Sequence, residues 1–466
     1  MKRWLVDLKA PVDTTTLALF RIVFGMCMLY DMWMHVHLDL IRSYLVRPQF
    51  HWKYWGFGWV QPLSEPLMIG IGIALMIASV AITVGIFYRL SMTLFFLGFT
   101  YFHLIDALLY RNHYYLICIL SAVLVVLPAA NSLSIDAWRR NLQPQTPLWA
   151  IGLMRVQMFV VYFYGGVAKW NSDWLAGEPM RGALQGEYGE KFGKFNGENL
   201  VYVLVYGGLV FDLAVGFLLL IPKTRIVGAV VAVGFHLINA YQFEIGNFPW
   251  LMIGATILFF APDWPRSWMS IPKRMRVEKA KRPSAKRSEV AAEGADAERG
   301  WIWSDAALCL GVVYVIVQLL LPLRPFFYPK PIAWYEDAYR YAWRMMTHVK
   351  DARLRYRIYL PDQDRYLPLE QGQHLSSVQR GTLGKYPQAV VAYAHFLADQ
   401  PEQKFFDHFE IHAEYEASLN YRPFRTVIAP TVNLLSIEDS LWKRSEWIVP
   451  LTTPLHPSRF NREEEK

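Results

Sequence analysis

Long apolar runs, separated by short polar segments, fill most of the first 322 positions of this chain. A bilayer core needs roughly 20 mostly apolar residues in a helix, so these runs predict membrane-spanning helices. The shorter runs fit helices that are tilted or partly interfacial. We predict about nine spans by this criterion, at residues 16–37, 66–87, 90–109, 113–130, 148–168, 200–221, 225–243, 247–262 and 303–322.

The apolar pattern changes after Pro322. Residues 353–360 and 405–417 alternate apolar and polar side chains, as half-buried strands do. Between them, residues 386–400 carry an apolar stripe at helical spacing. This part of the chain therefore predicts a small domain that contains both helices and strands.

Together the two patterns predict a mainly α protein. We expect a polytopic transmembrane helix bundle over residues 1–322, followed by a small α+β extramembrane domain over residues 323–466. Within the bundle, residues 263–302 turn basic and then rich in Ala, Glu, Ser and Lys, a composition typical of a flexible cytoplasmic linker.

Composition supports a membrane protein, since 54% of the residues are hydrophobic and only 18% are charged, against about 25% in soluble domains. The net charge of +8 does not indicate a nucleic-acid partner, because the basic residues concentrate in the linker and in short loops between apolar runs. The N-terminus lacks the apolar core of a cleavable signal, so we expect the first run to be retained. Three cysteines in apolar runs, with no CxxC pair, predict core packing and no metal site.

The basic loops also orient the predicted spans. If the N-terminus is cytoplasmic, the other basic loops fall on the same side, as the positive-inside rule requires. The opposite side then receives residues 38–65, 110–112, 169–199, 244–247 and everything after Pro322. Residues 51–59, HWKYWGFGW, are dense in aromatic side chains and are predicted to lie in the interface; a lid over a lipid-soluble ligand is the alternative.

One lysine stands where the fifth apolar run ends. In YFYGGVAKWNSDW, Gly165 and Gly166 allow close helix packing, and Lys169 follows them. An ionisable residue at membrane depth costs roughly 2.5–3.5 kcal/mol on insertion scales, so such a lysine is seldom without a function unless its ammonium reaches water. The alternative is a lysine that snorkels to the interface beside Trp170 and Trp174.

Other polar residues fall on the same predicted side. Asn112 and His113 lie between the third and fourth spans, and His236 and Asn239 are about one helical turn apart on the seventh. For a single histidine, hydrogen-bonded packing is the usual role, but polar groups that converge within a membrane mark pathways and active sites. The segment WRMMTH, which includes Trp343, Met346 and His348, opens the C-terminal domain.

These residue types indicate acid–base chemistry. A lysine that loses its hydration favours the neutral amine, which can accept a proton, and a nearby histidine can orient a ligand or stabilise an anion. No HExxH, P-loop, GxGxxG or GxSxG motif occurs in a suitable context. The site would suit an apolar ring compound that carries an acidic proton and enters from the bilayer.

The chain resembles the vitamin K-dependent γ-glutamyl carboxylases. Each matching segment is short, but the segments occur in family order over nearly the whole chain. They are FRIVFG at 20–25, NH at 112–113, VYFYGGVAKWNSDW at 161–174, FHLINAYQFEIGNF at 235–248, APDWPR at 261–266, YAWRMMTH at 341–348, SLN at 418–420, and Trp447 with Pro450.

The resemblance implies a reaction and roles for particular residues. Reduced vitamin K, as phylloquinol or menaquinol, reacts with O2 and becomes the epoxide, while CO2 is added to a glutamate of a peptide or protein substrate. Lys169 matches the hydroquinone base, and His113, preceded by Asn112, matches a histidine that supports proton transfer. Further substrate-binding residues are expected in two groups: His236 with Asn239 at the quinone, and Trp343, Met346 and His348 at the glutamate.

The chain also departs from the animal enzymes. They carry an arginine and a second histidine where this sequence has Lys350 and Ala352. They also extend well beyond the position of Lys466, in a region that binds the propeptide of the substrate. The compact sequence, with little N-terminal extension and no ER signal, leads us to expect a bacterial-type homologue in the inner membrane, with its active site on the periplasmic side.

Two alternatives to the carboxylase remain. One is a vitamin K or menaquinol epoxidase that lacks peptide carboxylation. The other is a non-catalytic protein that binds or transports lipid, in which Lys169 and His113 are structural. The inverted hydropathy repeats common in transporters are not apparent in the sequence.

Overall fold

The structure is a computed structural model. It describes residues 7–185, 197–243, 245–268, 301–328, 331–401, 403, 406–438 and 445–455. Most of the predicted linker over 263–302, and the middle of the 169–199 loop, lie outside the described residues.

A helix covers each of the predicted spans. We number the main helices in chain order: α1 Thr15–His37, α2 Glu65–Val84, α3 Tyr88–Ile105, α4 Asn112–Val126, α5 Leu148–Lys169, α6 Glu198–Leu220, α7 Arg225–Gln242, α8 Phe248–Ala255 and α9 Asp305–Leu320. A 3-10 turn, Thr256–Phe259, continues α8.

Five described helices are long and apolar enough to cross a membrane, namely α1, α2, α5, α6 and α9 with its 3-10 extension to Phe327. The predicted transmembrane helix bundle is therefore confirmed as a class, whereas the number nine stays a prediction. Of the three cysteines, Cys27 and Cys118 are buried as expected, but Cys309 is exposed on α9.

The core of the bundle forms around α1. Phe20, Phe24 and Met28, one face of that helix, are fully buried, and the ring of Phe24 meets Phe95 of α3 edge-on. Arg21 is buried on the same helix, where it donates a hydrogen bond to the carbonyl oxygen of Leu133 at 2.5 Å. Its guanidinium thus satisfies backbone carbonyls at an end of the bundle, as a buried charge must.

The C-terminal domain contains a four-stranded antiparallel sheet in the order β4-β3-β5-β6. The strands are β3 Lys350–Leu360, β4 Arg365–Pro368, β5 Glu410–Leu419 and β6 Arg425–Ile428; β1 Pro11–Asp13 and β2 Gln145–Pro147 pair separately near the start of the bundle. Two helices, α10 Ser377–Leu383 and α11 Pro387–Ala398, pack against the larger sheet.

The prediction of an α+β C-terminal region is confirmed. The alternating segments became β3 and β5, which pair along ten positions, and the apolar stripe became α11. Sequence periodicity missed β4, because only one of its four residues is even partly buried. It also missed β1 and β2, whose three residues each are too few to show a period.

The C-terminal domain rests directly on the loops at one end of the bundle. Trp52 donates from Nε1 to the carbonyl oxygen of Ala389 at 3.0 Å, and Gln379 donates to Asp106 Oδ2 at 2.6 Å. The aromatic side chains of residues 51–59 therefore lie in two environments. Trp52 is buried beneath the domain, whereas Trp55 and Trp59 are 72% and 77% exposed. Those two exposed rings suit the interface position predicted from the sequence.

A second link joins the domain to the segment after α5. Arg422 donates two hydrogen bonds to the carboxylate of Asp173, of 2.6 Å to Oδ2 and 2.8 Å to Oδ1. Asn420 adds a third, from Nδ2 to Asp173 Oδ2 at 2.7 Å. Bidentate arginine–carboxylate contacts fix geometry as well as distance, so this Asp173 clamp locks the start of the 170–184 segment to the domain.

The buried Asp106 gives a testable pH dependence. Burial raises the pKa of this carboxyl to about 6, although hydrogen bonds from Leu108, Gln379 and the Trp52 segment oppose the shift. A raised pKa in the folded state means that Asp106 stabilises the fold below about pH 4 and loses this contribution as the pH rises through about 6. Asp106→Asn should therefore remove a stability difference of about 3 kcal/mol between pH 4 and 7.

Thermal unfolding of the purified protein in detergent, at pH values across that window, measures this effect. A wild-type protein whose stability relative to Asp106→Asn is the same at pH 4.5 and 7 would contradict it. Glu370→Gln, at an exposed carboxylate in the same domain, serves as the control.

Candidate active site

Lys169 is the last residue of α5, and its side chain turns back into the bundle. Side chains on a helix tilt toward its N-terminus, so the amine lies beside the preceding turn, 3.5 Å from the carbonyl oxygen of Gly165. Lys169 is only 8% exposed, and it forms an ion pair with Asp212 of α6. The amine therefore points to a buried carboxylate instead of reaching water.

The sequence after Lys169 explains where the helix ends. Asn171 has an extended backbone, and its side chain accepts a hydrogen bond from the backbone of Trp174 at 3.0 Å, which caps the short helix Ser172–Leu175. This turn places the ring of Trp174 5.4 Å from Lys169 Nζ, where it can interact favourably with the ammonium. Trp174 is itself fixed by a 3.0 Å bond from Nε1 to the carbonyl oxygen of Val205.

Two glycines bring α5 and α6 together at the ion pair. A Cβ atom at Gly166 would lie 2.7 Å from the side chain of Leu213 and 2.9 Å from its backbone nitrogen, so no larger residue fits there. A Cβ at Gly165 would lie 3.2 Å from Asp212 Oδ2. The close-packing role predicted for this glycine pair agrees with these distances.

Sequence reasoning missed Asp212, although a signal was present. This residue is a carboxylate within the 23 residues of α6, a helix of high hydropathy. An ionisable residue inside such a segment is a candidate for function by default, with a partner of opposite charge to be sought. Lys169 is that partner, 43 positions earlier in the chain.

The ion pair faces a cavity of about 450 Å³, here called the main cavity. Its walls are mostly apolar, and it runs between α5, α6, α7, α8, the start of α4 and the 339–346 segment. Val203 and Ile238 line it and are also 65% and 56% exposed, so the main cavity reaches the surface of the bundle between α6 and α7.

Most of the predicted site residues meet at this cavity. Its lining includes Asn112, His113, Lys169, His236, Asn239 and Met346, together with Asp212. Trp343 and His348 do not line it. Trp343 is 1% exposed and packs on Tyr115 with ring centroids 5.2 Å apart, and His348 binds Glu336 at 3.1 Å. The functional roles of all eight residues remain predictions.

His113 stands between the main cavity and a second cavity of about 240 Å³. Its ring packs against Tyr114 and Phe248, with centroid distances of 4.6 and 6.2 Å. Within the described part of the chain, its ring nitrogens have no hydrogen-bond partner. Because both cavities reach this ring, a bound ligand has access to it.

One ring nitrogen of His236 has a hydrogen-bond partner, and the other has none among the described residues. Its Nε2 lies 2.8 Å from the hydroxyl of Tyr162, while Nδ1 is buried and has no described partner. Its ring is only 2% exposed and lies among Phe211, Phe235 and Phe248. A buried ring nitrogen without a partner costs free energy unless a ligand satisfies it.

Asn112 has a positioning contact. Its side chain accepts a hydrogen bond from Tyr110 at 3.0 Å and donates to the carbonyl oxygen of Arg344 at 3.2 Å. The start of α4 is thereby joined to the segment of the C-terminal domain that borders the cavity. Asn112 thus holds the two walls in register.

The main cavity fits the ring compound that the sequence resemblance implies. Flat apolar walls from Phe235, Phe248 and Met252 suit an aromatic ring and an apolar tail, and the polar groups converge at one end. The unpartnered Nδ1 of His236 is available to a hydroxyl or carbonyl oxygen, and the ring of His113 lines the same cavity. Within the described residues, no cluster of three or more His, Cys, Asp or Glu could hold a metal ion.

The fold and the site define a polytopic membrane protein in which a buried lysine–carboxylate pair faces an apolar cavity capped by an α+β domain. The HTTM domain family matches residues 9–264, and the vitamin K-dependent gamma-carboxylase lumenal domain matches residues 303–454. The chain therefore belongs to the vitamin K-dependent gamma-carboxylase family. No solved structure gives a significant match to it.

Proposed function

We propose that this protein is an integral membrane enzyme that oxygenates a reduced vitamin K-type hydroquinone to the epoxide and carboxylates glutamate side chains of a peptide. The observation that supports this proposal most directly is the buried Lys169–Asp212 pair at an apolar cavity that reaches the surface between the apolar helices α6 and α7. A site for lipid-soluble substrates needs such an opening, and proton removal needs such a group. The two matched family models support the same proposal.

In this mechanism, Lys169 takes a hydroxyl proton from the bound hydroquinone. Asp212 can hold the proton that the ammonium gives up, which leaves a neutral amine without separating charge in an apolar site. His113, whose ring lines the cavity, then orients the bound ligand or transfers protons during oxygenation. The hydroquinone and O2 supply, when bound, the base that removes the γ-proton of glutamate.

The overall reaction balances with these co-substrates. The hydroquinone and O2 yield the epoxide and water, and glutamate with CO2 yields γ-carboxyglutamate and a proton. The cavity walls around Phe235 and Phe248 exclude bulk water from the ring, which strengthens every electrostatic contact in the site.

One observation favours the epoxidase without carboxylation as a second candidate. Lys350 stands where the animal enzymes carry an arginine, and it is 3% exposed and donates to the carbonyl oxygen of Trp334 at 2.7 Å. Burial lowers the pKa of Lys350 to about 8, against a smaller opposing effect of Glu336. The amine of Lys350 thus lies in the interior of the C-terminal domain and does not face the main cavity.

The experiment that tests both candidates uses purified protein with reduced vitamin K, O2, labelled bicarbonate and a short glutamate peptide. Epoxide and fixed label are measured in the same tube. We expect both products. Epoxide without fixed label would mean that the protein catalyses only the oxygenation. The absence of both products from folded protein would favour the lipid-binding or transport alternative.

A further inference from the structure

The second cavity, of about 240 Å³, meets the main cavity at His113, whose ring lines both. It runs between α1, α3, the start of α4 and the π-helical segment Ile41–Val46. Arg111 and Gly246, both exposed, line it as well, so the second cavity reaches the surface at one end of the bundle. It is therefore a second way from His113 to the outside of the protein.

Three polar side chains follow one another along this cavity. His35 of α1 donates from Nδ1 to the backbone carbonyl oxygen of Asp31 at 2.7 Å, and its Nδ1 lies 3.5 Å from the carboxylate Oδ2 of Asp31. The hydroxyl of Tyr114 lies 3.3 Å from His35 Nε2. Because a backbone carbonyl can only accept, a neutral His35 carries its proton on Nδ1, and its Nε2 accepts from Tyr114. We call Asp31, His35 and Tyr114 the His35 group.

The His35 group is joined to His113 at one end. The rings of Tyr114 and His113 pack against each other, with centroids 4.6 Å apart, and the rings of Tyr114 and His35 have centroids 5.9 Å apart. All three rings line the second cavity, which has room for several water molecules. Water in this cavity can therefore connect the ring of His113 to the hydroxyl of Tyr114.

The carboxylate of Asp31 is buried and incompletely satisfied. Its Oδ2 accepts no hydrogen bond within the described residues, and only 13% of the side chain is exposed. An ionisable residue in a membrane-spanning helix is a candidate for function by default, with a partner to be named. His35 is that partner, and a proton on His35 would place a positive charge 3.5 Å from the buried carboxylate oxygen.

The charges around the cavity favour release of a proton once it has reached His35. Arg111 lies within electrostatic range of Asp31 and of His113, so the Asp31 carboxylate already has a countercharge. A protonated His35 adds a net positive charge, which the exposed mouth beside Arg111 can pass to water. Other titratable groups that face the cavity or the His35 group within the described residues are Cys27, Tyr44, His103 and Asp106.

The proposed reaction needs such a route. Hydroquinone and O2 alone yield epoxide and water, without a net proton, but each glutamate that is carboxylated adds one proton to the balance. Where the main cavity reaches the surface between α6 and α7, its walls are apolar side chains such as Val203 and Ile238, which cannot carry a proton. The second cavity has polar side chains and space for water instead.

We propose that the His35 group carries this proton from His113 through the second cavity to water at the surface. The proton leaves the imidazolium of His113 and reaches Nε2 of His35 through water and the hydroxyl of Tyr114; only N–H and O–H bonds form and break, and no electron is transferred. Asp31 positions the ring of His35 and stabilises its charged form, and His35 then gives the proton to water beside Arg111. This inference rests on the proposed function and adds the route by which its proton leaves.

Comparison of two products tests the route. Full-length protein in detergent receives reduced vitamin K, O2 and labelled bicarbonate, with and without a short glutamate peptide. His35→Ala should lower label fixation about 100-fold, the lower end of the range for a positioned proton-transfer group. Epoxide formed without peptide should fall by a smaller factor, because no net proton is then released. Unchanged label fixation, or an equal fall in both products, would overturn the proposal.

Further variants separate proton transfer from a structural role. Added imidazole should restore part of the label fixation in His35→Ala, because a small buffer can replace the missing proton carrier. Tyr114→Phe and Asp31→Asn should also lower label fixation, and Asp31→Glu should keep more of it than Asp31→Asn. His37→Ala is the matched control, since His37 is exposed on the same helix and stacks on Trp33.

Tyr114→Phe decides the question if His35→Ala does not fold. It removes one hydroxyl and keeps the ring that packs on His113. Label fixation at the wild-type level in Tyr114→Phe, or a His35→Ala protein that folds but does not respond to imidazole, would refute the assignment.

Water access to the second cavity is measured without turnover. The ring carbon between the two nitrogens of a histidine exchanges its hydrogen for deuterium in D2O only where water reaches the ring, and mass spectrometry follows each histidine separately. We expect uptake at His35 and His113, with the exposed His37 as reference. Protection of His35 and His113 while His37 exchanges would overturn this inference alone. Uptake at both rings in a wild-type protein that forms no epoxide would refute the proposed function alone.

Discussion

Lys169→Ala should abolish epoxide formation and carboxylation together. If the amine takes the first proton from the hydroquinone, every later step depends on it, and loss of a general base lowers rates by about 10²- to 10⁴-fold. The assay is the two-product reaction with reduced vitamin K, O2, labelled bicarbonate and peptide. Both products should fall by the same factor.

The variant Lys169→Arg distinguishes the loss of a base from the loss of a positive charge. A guanidinium keeps the positive charge and can still bind Asp212, but it does not release its proton in proteins. Loss of activity in Lys169→Arg therefore identifies a base, whereas substantial activity would show that only the charge matters. Lys223→Ala, in the exposed turn between α6 and α7, should behave as wild type.

Asp212→Ala should destabilise the protein more than any other single change in the site. It leaves the Lys169 ammonium without its carboxylate at a position that is 8% exposed, and breaking a buried ion pair from one side costs about 3–5 kcal/mol. Chemical unfolding in detergent, followed by tryptophan fluorescence, measures the loss. The variant should also lose epoxide formation, because the proton of the ammonium has no acceptor.

The double variant Lys169→Met/Asp212→Leu separates stability from chemistry. Replacement of both charges by apolar side chains removes the free-energy cost of a buried unpaired ion and should restore most of the lost stability. It should remain inactive. A stable and active double variant would eliminate the ion pair from the mechanism, and a stable Asp212→Ala single variant would show that water solvates the amine.

Much of the architecture was predictable because it depends on local patterns. Apolar runs of spanning length produced helices at each expected place, and alternation over residues 353–360 was enough to identify β3. The lone Lys169 was also visible, since a charge at the end of an apolar run is conspicuous. Short or exposed elements such as β4 carried no comparable signal.

The partners within the site were not predictable by the same means. Asp212 is 43 positions from Lys169, and Asn112 is 232 positions from Arg344, so only the folded chain shows that they meet. The WRMMTH segment shows the same limit: the family resemblance implied the same role for Trp343 and Met346, yet Trp343 is buried away from the cavity and Met346 lines it. Which side of a loop faces a cavity depends on packing that local sequence does not encode.

The Asp173 clamp has a consequence for how the protein is made. Its arginine is added to the growing chain 249 positions after Asp173, when α5 and Lys169 have already been synthesised. Domains fold as units during synthesis, so the segment that follows Lys169 gains this support only after the domain that carries Arg422 has been translated and has folded. A chain that ends before Arg422 would therefore keep the helix bundle but leave the segment that follows Lys169 without this clamp.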